Sequence, residues 1–139
     1  MSVFTELVAR YKNLAKQQND SSTQISQLDA YTRRYTPVSA VSNTFTLDLS
    51  KGPNFMVTIS DTNAKTIQFS NVPTDANILL PVTVLLVYVS AAAITHPSGI
   101  IWQNGIVPSF TAGNKYVLMY SSWNNGTTWR GSVSGAWAT

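Results

Sequence analysis

Residues 44–70 read TFTLDLSKGPNFMVTISDTNAKTIQFS. Phe45, Leu47 and Leu49 alternate with Thr44, Thr46 and Asp48. Phe55, Val57 and Ile59 repeat the same period of two, and Ile67 and Phe69 repeat it again. Successive side chains on a strand point to opposite faces, so each run predicts a strand with one apolar side. KGPN and DTNAK separate the runs with the residues that turns favour. This rhythm makes the chain mainly β.

The pattern continues to the end of the sequence. VTVLLVYV, residues 82–89, is apolar on both faces, as expected of a central strand or one covered on both sides. HPSG turns into IIW (100–102), and VPSFTAGN leads to KYVLMYSS (115–122). NNG then leads to TWRGSVSGAW (128–137). Short strands at this spacing predict an antiparallel β-sandwich, jelly-roll or Ig-like, over residues 43–139.

The hairpin WNNGTTW, residues 123–129, admits two registers. A two-residue type I′ loop at Asn125-Gly126 pairs Trp123 with Thr128 and sends Trp123 and Trp129 to opposite faces. A three-residue loop, 124–126, puts both on one face. On the last strand Trp129, Gly131, Val133, Gly135 and Trp137 share a side, which is the better core candidate. With the two-residue loop, Tyr116, Leu118 and Tyr120 join it. Trp123 then lies with Val117 and Met119 on the second face, where a neighbouring molecule would cover it. Trp123 is therefore a candidate interface contact, and in a receptor-binding module exposed aromatics such as Trp123 or Trp102 would make the contacts.

The front of the chain keeps a different period. Phe4, Leu7, Tyr11 and Leu14 are spaced alternately three and four apart, and the phase resumes at Ile25 and Leu28. A heptad register fits, with Phe4, Tyr11, Gln18 and Ile25 at a and Leu7, Leu14, Ser21 and Leu28 at d. QQNDSST in the middle is rich in cap formers, and Ser21 with Gln24 makes a capping box. Two short helices, or one long helix with a weak centre, are expected. Such a narrow apolar stripe is marginal alone in water. Its own β-domain, further copies of the chain or another protein would cover it. The resulting division is a helical oligomerisation or docking segment at 1–36, a linker at 37–42 and the β-domain at 43–139. Pro37 blocks helix at the residue before it.

Composition narrows the function. Charged residues are only 11% of the chain while hydrophobic residues are 44%, so Ser, Thr, Asn and Gln must supply the polar surface. The net charge of +3 comes from Lys and Arg that are scattered except for Arg33-Arg34, without the clustered stripe of a nucleic-acid binder. Without cysteine there are no disulfides and no thiolate metal sites. Ile78–Ile94 is the most apolar run, but Pro81, Thr83 and Ser90 break it, so membrane insertion is not expected. MSVFTELVARYKN carries charges where a signal peptide would be apolar, which predicts synthesis in the cytoplasm without export.

Catalytic and metal chemistry are not expected. The only histidine, His96, sits in THPSG and reads as an exposed turn residue. Asp61 and Asp75 fall in turns, Asp48 in a strand, and Glu6, Asp20 and Asp29 in the helical segment, so no carboxylate pair is suggested. No nucleophile elbow, phosphate loop or dinucleotide fingerprint occurs. No cofactor is expected, and no enzyme activity.

Two stretches carry a resemblance. FTLDLSKGPNFMVTISDTNAKTIQFSNVP (45–73) is a strand-turn-strand-turn-strand unit ending in Asn-Val-Pro. ITHPSGIIWQNGIVPSFTAGNKYVLMYSSWNNGTTWRGSVSGAW (94–137) contains Ile100 or Ile101 with Trp102, then Pro108, Gly113-Asn114, Tyr116, and Gly126, Trp129 and Gly131. Together they resemble the C-terminal β-sandwich domain of tailed-phage tail collar and tail-fibre proteins. The resemblance implies a virion structural or host-contacting module, commonly a homotrimer, with other tail proteins or a host surface glycan or protein as partners. Fibres of that family carry long shafts before the domain. Only a short helical segment precedes it here, which favours a tail collar or fibre-attachment piece in the virion over a long receptor-binding fibre.

Overall fold

A computed structural model describes residues 2–32, 34–75 and 78–138, of 23–32 the backbone only. The chain divides into two compact units, residues 1–33 and 34–139.

The first unit is one helix, α1 (Val3–Thr32). It runs unbroken through the cap-forming centre, so the two-helix alternative falls away. The segment contains neither Gly nor Pro, and the polar centre costs only tenths of a kcal/mol per residue in propensity. Ser2 caps the start: its Oγ accepts from the Thr5 N–H at 3.2 Å. One turn on, Arg10 bonds Glu6 at 2.9 Å across an exposed (i, i+4) pair.

Among the described residues the second unit holds nine strands: β1 (Thr36–Val38), β2 (Thr44–Asp48), β3 (Asn54–Ile59), β4 (Lys65–Ser70), β5 (Leu80–Tyr88), β6 (Ile94–Thr95), β7 (Ile100–Trp102), β8 (Asn114–Ser122) and β9 (Trp129–Ala138). They form a six-stranded sheet in the order β1-β3-β5-β8-β9-β7 and a three-stranded sheet in the order β2-β4-β6. The inward faces of both sheets meet in one core. Phe45, Leu47 and Ile67 come from the small sheet, and Phe55, Val57, Ile59, Val84, Leu86 and Leu118 from the large one. The period-two reading of these residues holds.

The antiparallel expectation holds only in part, because the large sheet is mixed. β1, β3 and β5 run parallel to one another, as do β2, β4 and β6, and β7 runs parallel to β9. From β1 to β6 the chain changes sheet at every connection. KGPN and DTNAK are therefore crossings between sheets, not hairpins within one. Turn chemistry reports that the chain reverses and is silent on which sheet receives it. Among the described strands, the antiparallel pairs are β5 with β8 and β8 with β9.

The residues expected as a linker belong to the β unit. Thr36–Val38 pair with Phe55–Val57, and Val41 bridges Thr44. Pro37 lacks an N–H to donate, and it lies on the edge strand, where that donor is not needed on both sides.

Two polar ties fix the crossings. Asp48 Oδ1 accepts from Ser50 N–H at 3.0 Å, from Ser50 Oγ at 2.6 Å and from Asn71 Nδ2 at 2.8 Å, joining the ends of β2 and β4. These bonds hold its carboxyl below the usual value, the Ser50 hydroxyl contributing most. Lys65, only 3% exposed, donates to Asp61 Oδ1 at 2.6 Å and to Asn43 Oδ1 at 2.7 Å.

Candidate functional site

The hairpin between β8 and β9 takes the two-residue register. Ser121 lies opposite Arg130 and Tyr120 opposite Gly131, while Asn125 and Gly126 have φ of 60° and 76°. Thr127 N–H closes the turn on Asn124 O at 3.1 Å. Buried Ser122 accepts from Gly126 N–H at 2.9 Å, and Asn124 Oδ1 accepts from Thr128 N–H at 2.9 Å. These bonds hold a loop that directs Trp129 inward and leaves Trp123 on the outer side.

Trp129 is 2% exposed, and its ring lies 4.4 Å from that of Phe69, linking the two sheets. Trp123 is 44% exposed, with the Arg130 guanidinium carbon 4.5 Å from its ring centroid. Trp137 departs from the sequence reading. The β8–β9 register slips between Tyr116 and Val117: Val117 faces Ser134 while Tyr116 faces Ala136. Gly135 is the extra residue, with φ of 32°. The bulge moves everything after it to the other face, so Trp137 stands opposite Lys115 and is 53% exposed.

Trp102 also departs from its reading as a surface contact. Its side chain is buried, with ring centroids 4.7 Å from His96 and 5.9 Å from Tyr120. Gly131, its register partner on β9, leaves the space that the ring fills. His96 is likewise no exposed turn residue. It is partly buried among Trp102, Phe110 and Tyr120, with Nδ1 3.2 Å from the Tyr120 hydroxyl. That burial depresses its pKa to about 4.

Beside the hairpin, the outer face of the large sheet carries a groove of about 550 Å³. Pro81, Ile101 and Met119 give it an apolar lining. Thr83, Gln103, Ser121, Ser132 and Arg130 supply hydroxyl, amide and guanidinium groups. The strand register explains the grouping: Pro81, Ser121, Arg130 and Ile101 form one row across β5, β8, β9 and β7, and Thr83, Met119 and Ser132 form the next. Among the described residues no carboxylate pairs with Arg130. Alternation indicated this face, but the groove needed the β7–β9 pairing, which joins residues remote in sequence.

The second candidate surface is on α1. Phe4, Leu7, Tyr11 and Leu14 are all exposed, Phe4 to 75%. Val3, Val8 and Ala15 flank them, so the apolar stripe is wider than the a and d positions alone. Ile25 and Leu28, expected to extend it, lie outside the residues whose side chains are described. Among the described residues no helix is long and apolar enough to cross a membrane, and no group of His, Asp and Glu is placed to hold a metal ion. Comparison of the chain with family models, curated proteins and solved structures finds no match.

Proposed function

We propose that the protein is a non-enzymatic structural component of a phage virion. In this reading it is a short homo-oligomer, a trimer, acting as a tail collar or fibre-attachment piece, with α1 assembling the copies and docking them on other tail proteins. The two sheets sharing one core are read as a sandwich that the bundle displays.

The observation that carries the proposal is the exposed seam of Phe4, Leu7, Tyr11 and Leu14 on a continuous helix. An apolar stripe at heptad spacing gains its stability from knobs-into-holes packing against other helices. Charge placement supports identical partners. Between residues 2 and 22 the e and g positions beside the seam are Val3, Val8, Arg10, Ala15, Gln17 and Ser22. Arg10 is the one charge among them and is already paired with Glu6. A parallel, in-register bundle would therefore bring no like charges together along this stretch.

The test is the mass of the purified full-length protein in solution. Light scattering at micromolar concentration is expected to give three times the 15.2 kDa of one chain. Leu7→Asp with Leu14→Asp is expected to give a folded monomer. A wild-type monomer under these conditions would overturn the proposal.

A second reading has its own support. The exposed Trp123–Arg130 pair and the adjoining groove favour a receptor-binding module that contacts a host surface glycan or protein.

A further inference from the structure

We infer that the groove on the outer face of the large sheet binds an acidic sugar, a uronic or sialic acid residue, through its carboxylate and one apolar ring face. The inference rests on the second reading above and names its ligand class.

The argument starts from Arg130. A guanidinium is charged at every relevant pH and presents a planar fork that matches a carboxylate. Arg130 lies over the Trp123 ring, which orders the side chain and takes no hydrogen-bonding capacity from it. No carboxylate among the described residues occupies the fork. An ordered cation without a counter-charge, at the rim of a cavity, is suited to an anionic ligand.

The rest of the groove limits what that anion can be. A phosphate or sulfate would gain from several cations, and the groove lining contains Arg130 alone. Met119 and Ile101 offer apolar surface beside it, and both side chains are exposed. Ser121 and Ser132 offer hydroxyls on the same strands as Met119 and Arg130. One carboxylate, an apolar patch and several hydroxyls are the groups that an acidic pyranose presents. The groove's volume of about 550 Å³ also lies within the ordinary range for small-ligand sites.

The experiment uses the full-length protein, with the tryptophan indole and arginine Nε signals followed by NMR. The probes are sodium galacturonate, N-acetylneuraminate, neutral galactose and sodium acetate. Both acidic sugars are expected to move the Trp123 and Arg130 signals at millimolar concentration, with galactose and acetate at least tenfold weaker. Arg130→Gln should lose about tenfold in affinity, and Arg130→Lys should lose part of it. Because Arg130 is exposed, a spectrum with unchanged core signals will show that these variants fold. If galactose matches the acidic sugars and Arg130→Gln binds as well as wild type, the ligand class is wrong while the groove remains a contact surface. If acetate alone matches the sugars, the ring plays no part and the inference fails. If no probe moves either signal, both the inference and the receptor-binding use of this groove fail.

Discussion

Gly131 lies against the ring of Trp102. A Cβ placed on Gly131 would come within 2.7 Å of two ring carbons and 2.9 Å of a methyl group of Ile100. The indole cannot yield easily, because Trp102 is also held between His96 and Tyr120. Gly131→Ala is therefore expected to destabilise the β unit by about 1–3 kcal/mol through overpacking. Urea unfolding of the full-length protein measures this. Gly131→Ala combined with Trp102→Leu should recover part of the loss, since the clash is with the indole.

His96 sets an acid limit. Burial holds its pKa at about 4, against 6.5 for the free side chain. The unfolded chain therefore takes up the proton first as the pH falls. Stability from neutral His96 is fully present above pH 6.5 and is lost progressively towards pH 4. The neighbouring Tyr120 hydroxyl stays protonated throughout, because burial pushes its pKa up. The Asp48 and Asp61 carboxyls, both lowered by hydrogen bonds, titrate below this window. Thermal melts at pH 7 and pH 4.5 should show a clear drop for wild type and a smaller one for His96→Asn. Equal drops would place the acid sensitivity elsewhere.

Lys65 and Asp61 contribute unequally to one ion pair. The lysine is buried, while the Asp61 side chain is about half exposed. Asp61→Asn keeps an acceptor oxygen for the lysine and is expected to be the milder change. Lys65→Ala removes a buried stem and leaves Asn43 without its charged donor, with an expected cost of about 2 kcal/mol or more. Lys65→Met should fall between the two, since it restores the packing and not the hydrogen bonds. Chemical denaturation of the three variants ranks them. A larger loss for Asp61→Asn than for Lys65→Ala would contradict the assignment.

These sites show where the sequence was legible. Alternation placed Phe45, Leu47, Val57 and Ile67 in the core because a strand with one wet face must alternate. It placed Trp129 correctly and Trp137 wrongly, because a single bulge residue, Gly135, inverts the pattern within one strand. Pairing between strands stayed hidden for a related reason. KGPN and DTNAK would serve equally well in a hairpin or in a crossing, and only the three-dimensional core distinguishes them. His96 looked like a turn residue from its Pro97 and Gly99 neighbours. Its aromatic surroundings come from β7, β8 and the loop holding Phe110, which no local pattern joins. Of the candidate site, the NNG turn allowed Trp123 on either face, and the β8–β9 register decides for the outer one. Arg130 was assigned to the right face, but its role depends on the ring beside it.

The seam of α1 gives a last prediction, about its polar interruption. Gln18 and Ser21 occupy a and d positions, and both are exposed on the helix. If copies of the helix associate through this stripe, each copy places these polar side chains in the shared interior, where they weaken packing. Gln18→Leu with Ser21→Leu should then strengthen association, and the effect should appear as a concentration-dependent rise in melting temperature. If α1 instead packs on its own β unit, melting of both wild type and variant will be independent of concentration. The variant also separates assembly from helix propensity. Leu exceeds Ser and Gln in a helix by only tenths of a kcal/mol, so a large shift that grows with protein concentration must come from contacts between chains.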